Sequence, residues 1–321
     1  MNDNIHVLVV TNTYPTEARP GDTPSIKDQV EDLKRLGVSV EVLHINGKRK
    51  INYLFGALKI FLLSFKPKKY DLIHAFYGHT GVLARFQNRY PVVVTFLGSD
   101  LLTSHLLSKK DRWIGAIAAR IANGVIVMTE EMKKASNRRD ACVIPFGANA
   151  TIFKPYPTSA ARAELGLQME KKFILFPWEP TRPEKRYWIA QEVVRLLQSD
   201  YNVELLTVYN RPREIIAKYM SACDVMLLTS EHEGAPLAVR EALASRLPVV
   251  SVDVGDVRKI VEETGGGYIA SQDASDLAKK ISWVFEGKEK LFNHPSKMKL
   301  SEDSAREVLT FYEKLGFGKK R

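Results

Sequence analysis

The feature that most constrains this chain is a rhythm. Short β-branched runs, IHVLVV, VSVEVLHI, DLIHAF, PVVVTF, GVIVM and ACVIP, follow one another through the first half, with amphipathic segments between most of them. Alternating strand and helix is the pattern of a parallel sheet, because parallel neighbours need a crossover connection and the crossover is usually a helix. The runs are apolar at consecutive positions, as expected of strands covered by helices on both faces. The rhythm breaks in FKPYPTSAARAELGL, where Pro155 and Pro157 interrupt regular structure, and restarts with FILFP, VELLTVY, DVMLLTS and LPVVSVD. The fold class expected is therefore α/β, with two Rossmann-like doubly wound domains facing each other across a cleft.

A chain of 321 residues accommodates two such domains. The boundary is expected near residue 155, giving a first domain at 1–155 and a second at 156–300. The last stretch, 301–321, reads as a helix (SEDSAREVLTFYEKLGF) with Ser301 as its cap and Val308, Leu309, Tyr312 and Leu315 on its apolar face. It either packs on the second domain or crosses back to the first.

Composition narrows the setting. Cys142 and Cys223, the two cysteines, are flanked by apolar residues and read as packing thiols in a reducing compartment. The N-terminal MNDNIHVLVV lacks the pattern of an export signal, and no apolar run reaches the ~18 residues of a membrane span. The expectation is a cytoplasmic protein whose membrane contact, if any, is peripheral. The net charge of +10 is unevenly held: residues 1–155 carry 22 Lys/Arg against 13 Asp/Glu, and residues 156–321 carry 25 against 24.

The densest local signal is CDVMLLTSEHEGAPLAVREALASRLPVVSVDVGD. A buried strand runs into a short polar loop, and a helix is expected from Pro236, since proline suits a first helical position. A helix N-terminus beyond the carboxyl end of a parallel strand offers N–H groups and a positive dipole end to an anion. Gly234 leaves room for close approach of a ligand to the backbone. Glu241 lies five residues past Pro236, roughly 7–8 Å along the helix axis at ~1.5 Å per residue, so Glu233 and Glu241 can engage different parts of one elongated ligand. A carboxylate accepts from two neighbouring hydroxyls at once, which suits a ribose or a hexose. Taken alone, an acidic pair here has a plainer explanation, with Glu233 facing the helix dipole and Glu241 on a solvated face.

The full string resembles the signature of retaining family 4 glycosyltransferases, GT-B enzymes of the glycosyl transferases group 1. Their two glutamates are separated by seven intervening residues, here Glu233 and Glu241, with E-G-x-P at the first (Glu233, Gly234, Ala235, Pro236) and E-A-x-A at the second (Glu241, Ala242, Leu243, Ala244). The resemblance implies that Glu241 holds the nucleotide ribose and Glu233 the donor sugar, and that the backbone from Ala235 through Leu237 to Val239 meets sugar and phosphate. It also implies an Arg and a Lys in the loop after the first strand of the second domain, neutralising the departing diphosphate without a metal or other cofactor. In FPWEPTRPEKRYW the Lys is Lys185, but the usual Arg position is Pro180, so Arg182 is the substitute expected and Arg186 a possible sharer of the role.

The first half resembles the family more loosely. Gly21 falls where relatives line the mouth of the cleft, and no G-x-G-x-x-G supports a dinucleotide. Many members carry a His directly before G-x-D, whereas Leu97 precedes Gly98 and Asp100 here. Asp100 and His79 are the acceptor-side candidates. Front-face transfer, in which the leaving phosphate accepts the acceptor proton, tolerates the missing His. CVIPFGANATIFKP resembles the inter-domain turn. Base contacts are expected around Tyr209 and Asn210.

INYLFGALKIFLLSF, residues 51–65, is apolar almost all round and sits in a stretch, 48–69, with seven positive charges and no acid. It reads either as a helix buried on the sheet or as one lying in the interface of an anionic membrane. The function expected is transfer of a sugar from a UDP- or GDP-type nucleotide sugar to a lipid-linked or polysaccharide acceptor of the cell envelope. The alternatives are a sugar-nucleotide epimerase and a non-catalytic basic anion or nucleic-acid binder. The last lacks a recognisable binding module, so no nucleic acid partner is expected.

Overall fold

The computed structural model describes residues 5–47, 49–98, 100–102, 109–288, 291–292 and 298–317, with the side chains of Lys50 and Lys109 excepted. The chain divides into two compact units. The first comprises Met1–Thr16, Asp22–Phe146 and Ser301–Arg321, and the second Glu17–Gly21 and Gly147–Leu300.

In the first unit, strands β1 (His6–Thr11), β2 (Ser39–His44), β3 (Leu72–Phe76), β4 (Val92–Thr95), β5 (Gly124–Val127) and β6 (Cys142–Val143) alternate with helices α1 (Pro24–Arg35), α2 (Lys50–Leu62), α3 (Gly78–Ala84), α4 (Lys109–Ile121) and α5 (Glu130–Ala135). The sheet is parallel, in the order β2, β1, β3, β4, β5, β6. β3, β4 and β5 are buried at every residue, which is why their sequences are continuous apolar runs rather than alternating ones.

The second unit repeats the plan with α6 (Thr158–Leu165), β7 (Lys172–Phe176), α7 (Tyr187–Leu197), β8 (Val203–Thr207), α8 (Arg213–Ala222), β9 (Val225–Leu228), α9 (Leu237–Ala244), β10 (Val249–Val252), α10 (Val257–Thr264), β11 (Gly267–Ala270) and α11 (Ala274–Glu286). Its parallel sheet runs β11, β10, β9, β7, β8. β11 is not legible in the sequence, because GGGYIA looks like a turn. Gly267 sits directly opposite Val249, and a Cβ there would come within 1.8 Å of the Val249 carbonyl oxygen. The glycine is a close backbone approach inside a strand.

Two further features refine the sequence reading. The division falls at Phe146 and Gly147, not near residue 155. Phe153 is buried in the second core, and Ala148 bridges to Leu300, so the stretch before Pro155 already belongs to the second unit. Pro155 and Pro157 mark only the approach to α6. The last helix, α12 (Ser301–Lys314), is part of the first unit, against α1. Its Tyr312 is fully buried and its hydroxyl lies 2.5 Å from His74 Nδ1, while His74 Nε2 lies 2.6 Å from Thr95 Oγ1. Burial holds His74 neutral, its pKa pushed down to about 3. Both cysteines are free, and Cys223 packs in the second core.

Candidate functional site

In each sheet the chain first moves to one side and then returns to the other, so the strand order reverses between β1 and β3 in the first unit and between β7 and β9 in the second. Loops diverge at such a reversal and leave a crevice at the carboxyl ends of the strands.

At the β7/β9 reversal the loop after β7 carries Trp178, Arg182 and a 3-10 turn, Pro183–Lys185. The loop after β9 carries Thr229, Ser230 and Glu233. The two are tied together: Thr229 Oγ1 donates to the Lys185 carbonyl at 2.7 Å, and the Glu231 N–H donates to the Glu184 carbonyl at 2.9 Å. Arg186, held in the left-handed region at φ 47°, adds a three-way staple. Its guanidinium donates to the carbonyls of Thr229 and Ser230, at 2.8 and 2.9 Å, and to Gln272 Oε1 at 2.9 Å.

That scaffold brings Lys185 and Glu233 together. The buried ammonium of Lys185 is ion-paired with Glu233 Oε1 and lies 5.1 Å from the centre of the Trp178 ring. Ser230 Oγ donates to the same Glu233 oxygen at 2.7 Å. Glu233 is therefore an oriented acceptor, not a loose charge near a helix end. Pro236 is the cap of α9 and not its first helical residue, and it makes no side-chain cap hydrogen bond to that helix. The loop Gly234, Ala235, Pro236 thus delivers the chain into α9 at Leu237 with no cap from the Pro236 side chain over the positive dipole end.

Glu241 lies on α9 and is nearly buried. Arg213, at the start of α8, donates to its Oε1 at 2.7 Å and lies 5.0 Å from the centre of the Phe153 ring. The solvated-face explanation for Glu241 does not fit this environment. Arg240, one residue before it, is paired with Asp256 after β10 and ties α9 to that loop. Gly255 has φ 56°, and a Cβ there would come within 2.1 Å of the Gly234 carbonyl oxygen, so this backbone contact sets the path of the Glu233–Gly234 segment.

The other sequence-predicted residues make neither of these two pairings. Arg182 is exposed and paired with its neighbour Glu184. Gly21 belongs to the second unit, beside Asn210. Asp100 and His79 belong to the first unit. Asp100 Oδ1 accepts from the N–H groups of Leu97 and Gly98, both at 3.1 Å, and burial pushes its pKa up to about 6. His79 is partly exposed, 3.3 Å from Asp111 Oδ1.

Three residues absent from the sequence reading mark the β1/β3 reversal. Thr13 Oγ1 and Thr23 Oγ1 are 2.9 Å apart, and Thr23 Oγ1 is 3.2 Å from the Tyr77 hydroxyl. Thr23 and Tyr77 adopt φ 48° and 75°. Positive φ in a β-branched or bulky residue costs on the order of 1–3 kcal/mol and concentrates at functional sites. Nothing in the local sequence signals these torsions. Arg213 was equally hidden, because its partner is supplied by another helix.

Residues 190–300 match the family described as "Glycosyl transferases group 1". A Bacillus subtilis glycosyltransferase, TuaC, named for teichuronic acid biosynthesis, is 23% identical over 86% of this chain and 88% of its own. The Escherichia coli UDP-Gal:alpha-D-GlcNAc-diphosphoundecaprenol alpha-1,3-galactosyltransferase is 23% identical over 64% of this chain and 63% of its own. Anabaena HepE, solved in complex with UDP and glucose, is similar in fold, with a TM-score of 0.72 at 18% identity over 97% of this chain and 100% of that one.

Proposed function

We propose that this chain, whose residues 190–300 match the glycosyl transferases group 1 and whose fold is that of GT-B enzymes, is a retaining hexosyltransferase that takes its sugar from a nucleotide-diphosphate donor. The observation that carries the reading is the Lys185–Glu233 contact at the β7/β9 reversal, immediately before the start of α9. A diphosphate needs preorganised positive charge, and a sugar needs an oriented acceptor for its hydroxyls. Here the two stand side by side.

In the free protein Lys185 and Glu233 neutralise each other. An arriving diphosphate competes for the Lys185 ammonium, which leaves Glu233 available to sugar hydroxyls while Ser230 keeps it oriented. Glu241 accepts from the ribose, with Arg213 holding its carboxylate. In the transfer, the bond from the anomeric carbon to the phosphate oxygen breaks and an acceptor oxygen bonds to that carbon on the same face. The acceptor proton passes to the departing phosphate. Negative charge grows on the diphosphate, where Lys185 and the first N–H groups of α9 stabilise it, so this reading calls for no metal. Arg182 reaches the diphosphate in the same scheme by leaving Glu184, with Gly21 at the margin of the site.

UDP is the first nucleotide to test, ahead of GDP, because the Anabaena structure holds UDP and the Escherichia coli relative is named for UDP-Gal. The acceptor class proposed is a lipid-linked or polymeric glycan of the cell envelope, following the same relative and TuaC. A bilayer-anchored acceptor puts the protein at the cytoplasmic face of a membrane. The acceptor hydroxyl is met by the first unit, where Thr13, Thr23 and Tyr77 form the hydroxyl chain and Asp100 and His79 lie among the candidates.

The test is thermal unfolding with UDP, GDP, ADP and their sugar conjugates, since a ligand that binds the native state raises its stability. Stabilisation by a uridine nucleotide, lost in Glu241→Ala, is the expected result. No stabilisation by any of them would sink the donor reading. Conversion of the donor sugar without an acceptor would point to an epimerase.

A further inference from the structure

Helix α2 is apolar on two sides, and only one of them is packed. Its inner side carries Gly56 and the fully buried Ile60, one turn apart. Gly56 is needed there, because a Cβ would come within 2.5 Å of Ile45 Cδ1 in the core beneath. The outer side carries Ile51, Leu54, Phe55, Leu58 and Leu62, at helical spacing, and Phe65 just beyond, all exposed. Leu54 is 65% exposed and Phe65 73%. Phe86, 54% exposed, follows α3, which packs against α2. Contiguous apolar surface of more than a few hundred Å² on a folded protein marks an interaction site. A helix apolar all round belongs in a core or against lipid.

The charges around the patch select between occupants. Arg49, Lys59, Lys66 and Lys68 are exposed on or beside the helix, and Arg85 and Arg89 are exposed near Phe86. Arg89 Nη1 lies 3.4 Å from the Ser64 carbonyl, which brings that turn to the end of α2. Residues 48–69 contain no acid. Lys48 and the side chain of Lys50 lie outside the described residues. A second copy docked patch to patch would bring these like charges together, since a two-fold interface sets the same surface against itself. An anionic bilayer offers an apolar interior to the outer side of α2 and negative headgroups to its rim. The helix has 13 residues, about 20 Å at ~1.5 Å per residue, and a bilayer core is ~30 Å thick. Among the described residues no helix is long and apolar enough to cross a membrane.

We propose that the outer side of α2, continued by Phe65 and Phe86, docks the first unit on an anionic lipid surface, with the helix lying in the interface. This deepens the acceptor reading by giving a bilayer-anchored acceptor its meeting place. It stands on the first unit, however, while the donor reading stands on the second, so either fails without the other.

Co-sedimentation of the full chain with vesicles tests it. Vesicles of phosphatidylcholine with phosphatidylglycerol should bind about tenfold more tightly than phosphatidylcholine alone, a difference that high salt removes. The variant Leu54→Ser/Phe55→Ser/Leu58→Ser should lose binding to both. Its far-UV dichroism and thermal transition should match the wild type, because the three side chains are solvent-exposed. Lys66→Glu/Lys68→Glu should lose only the preference for anionic lipid. Wild-type protein that stays in the supernatant at low salt would overturn the proposal. So would a serine variant that binds as well as wild type. A wild-type dimer that the serine substitutions dissociate, with no vesicle binding by either protein, would overturn it in favour of a second copy.

Discussion

The reversal between β7 and β9 and the reversal between β1 and β3 occupy equivalent places in two similar sheets, yet they are built from different chemistry. The first gathers charges: Lys185 on Glu233, Arg213 on Glu241 and the Arg186 staple. The second gathers hydroxyls, Thr13, Thr23 and Tyr77, on backbone held at positive φ, with the carboxyl of Asp100 in the same unit buried on backbone N–H groups. A crevice at the strand ends comes with the topology, whereas what it binds is set by the side chains that the loops supply. Opposite charges at one reversal suit a diphosphate sugar. Neutral hydroxyls at the other suit an alcohol acceptor.

The comparison breaks most sharply at Lys185. With Lys185→Met, sugar transfer should fall about 10²–10³-fold in turnover, on the order of 3–4 kcal/mol of transition-state stabilisation. A product assay on folded variant checks it, and an unchanged rate would remove the charged reversal from the chemistry.

Next comes the buried carboxyl of the first unit. Asp100 titrates at about 6 when folded, against an ordinary 3.8. Between those values the folded state binds more protons than the unfolded state, so stability falls as pH rises through the window. From about pH 4.5 to 6.5 the loss should be about 2 kcal/mol. Asp100→Asn should remove that component. Urea unfolding of both proteins at the two pH values measures it. His74 acts with the opposite sign. Its folded pKa of about 3 lies below the ordinary 6.5, so its contribution is present above 6.5 and lost as pH falls. The asparagine variant should therefore be the more acid-sensitive protein.

Smaller effects sharpen the assignment of each reversal to its own ligand. Glu241→Gln should weaken UDP binding about tenfold, ~1.4 kcal/mol, by removing a charged acceptor, and calorimetric titration reads it directly. Tyr77→Phe should raise the acceptor KM severalfold, ~1 kcal/mol, and leave UDP affinity unchanged. If it weakened UDP binding instead, the division between a charged donor end and a hydroxyl acceptor end would be wrong.

Much of the β7/β9 reversal was legible in the sequence because its parts are close together in the chain. Glu233, Pro236 and Glu241 lie within one loop and one helix, and their spacing alone places them. Lys185 came from a short loop of recognisable wording. Arg213 did not, since it meets Glu241 from a different helix, 28 residues away in sequence. The β1/β3 reversal was barely legible. Thr23 and Tyr77 are ordinary residue types, and what distinguishes them is a backbone torsion and a neighbour 54 residues away.

The sequence by itself determined that this chain builds parallel sheets in two doubly wound units, and that an acidic pair stands at the start of a helix in the second. Those properties rest on local period and local propensity, which each segment carries with it. The tertiary structure decided where the units divide, at Gly147 ahead of the two prolines, and that α12 joins the first sheet through Tyr312 and His74, 238 residues apart. It made a strand of the glycine-rich run at Gly267. It also turned α2 so that one apolar side is packed and the other left to solvent. Period alone cannot assign such a helix a face. Burial depends on which segments come to lie beside it, and that is a property of the assembled fold.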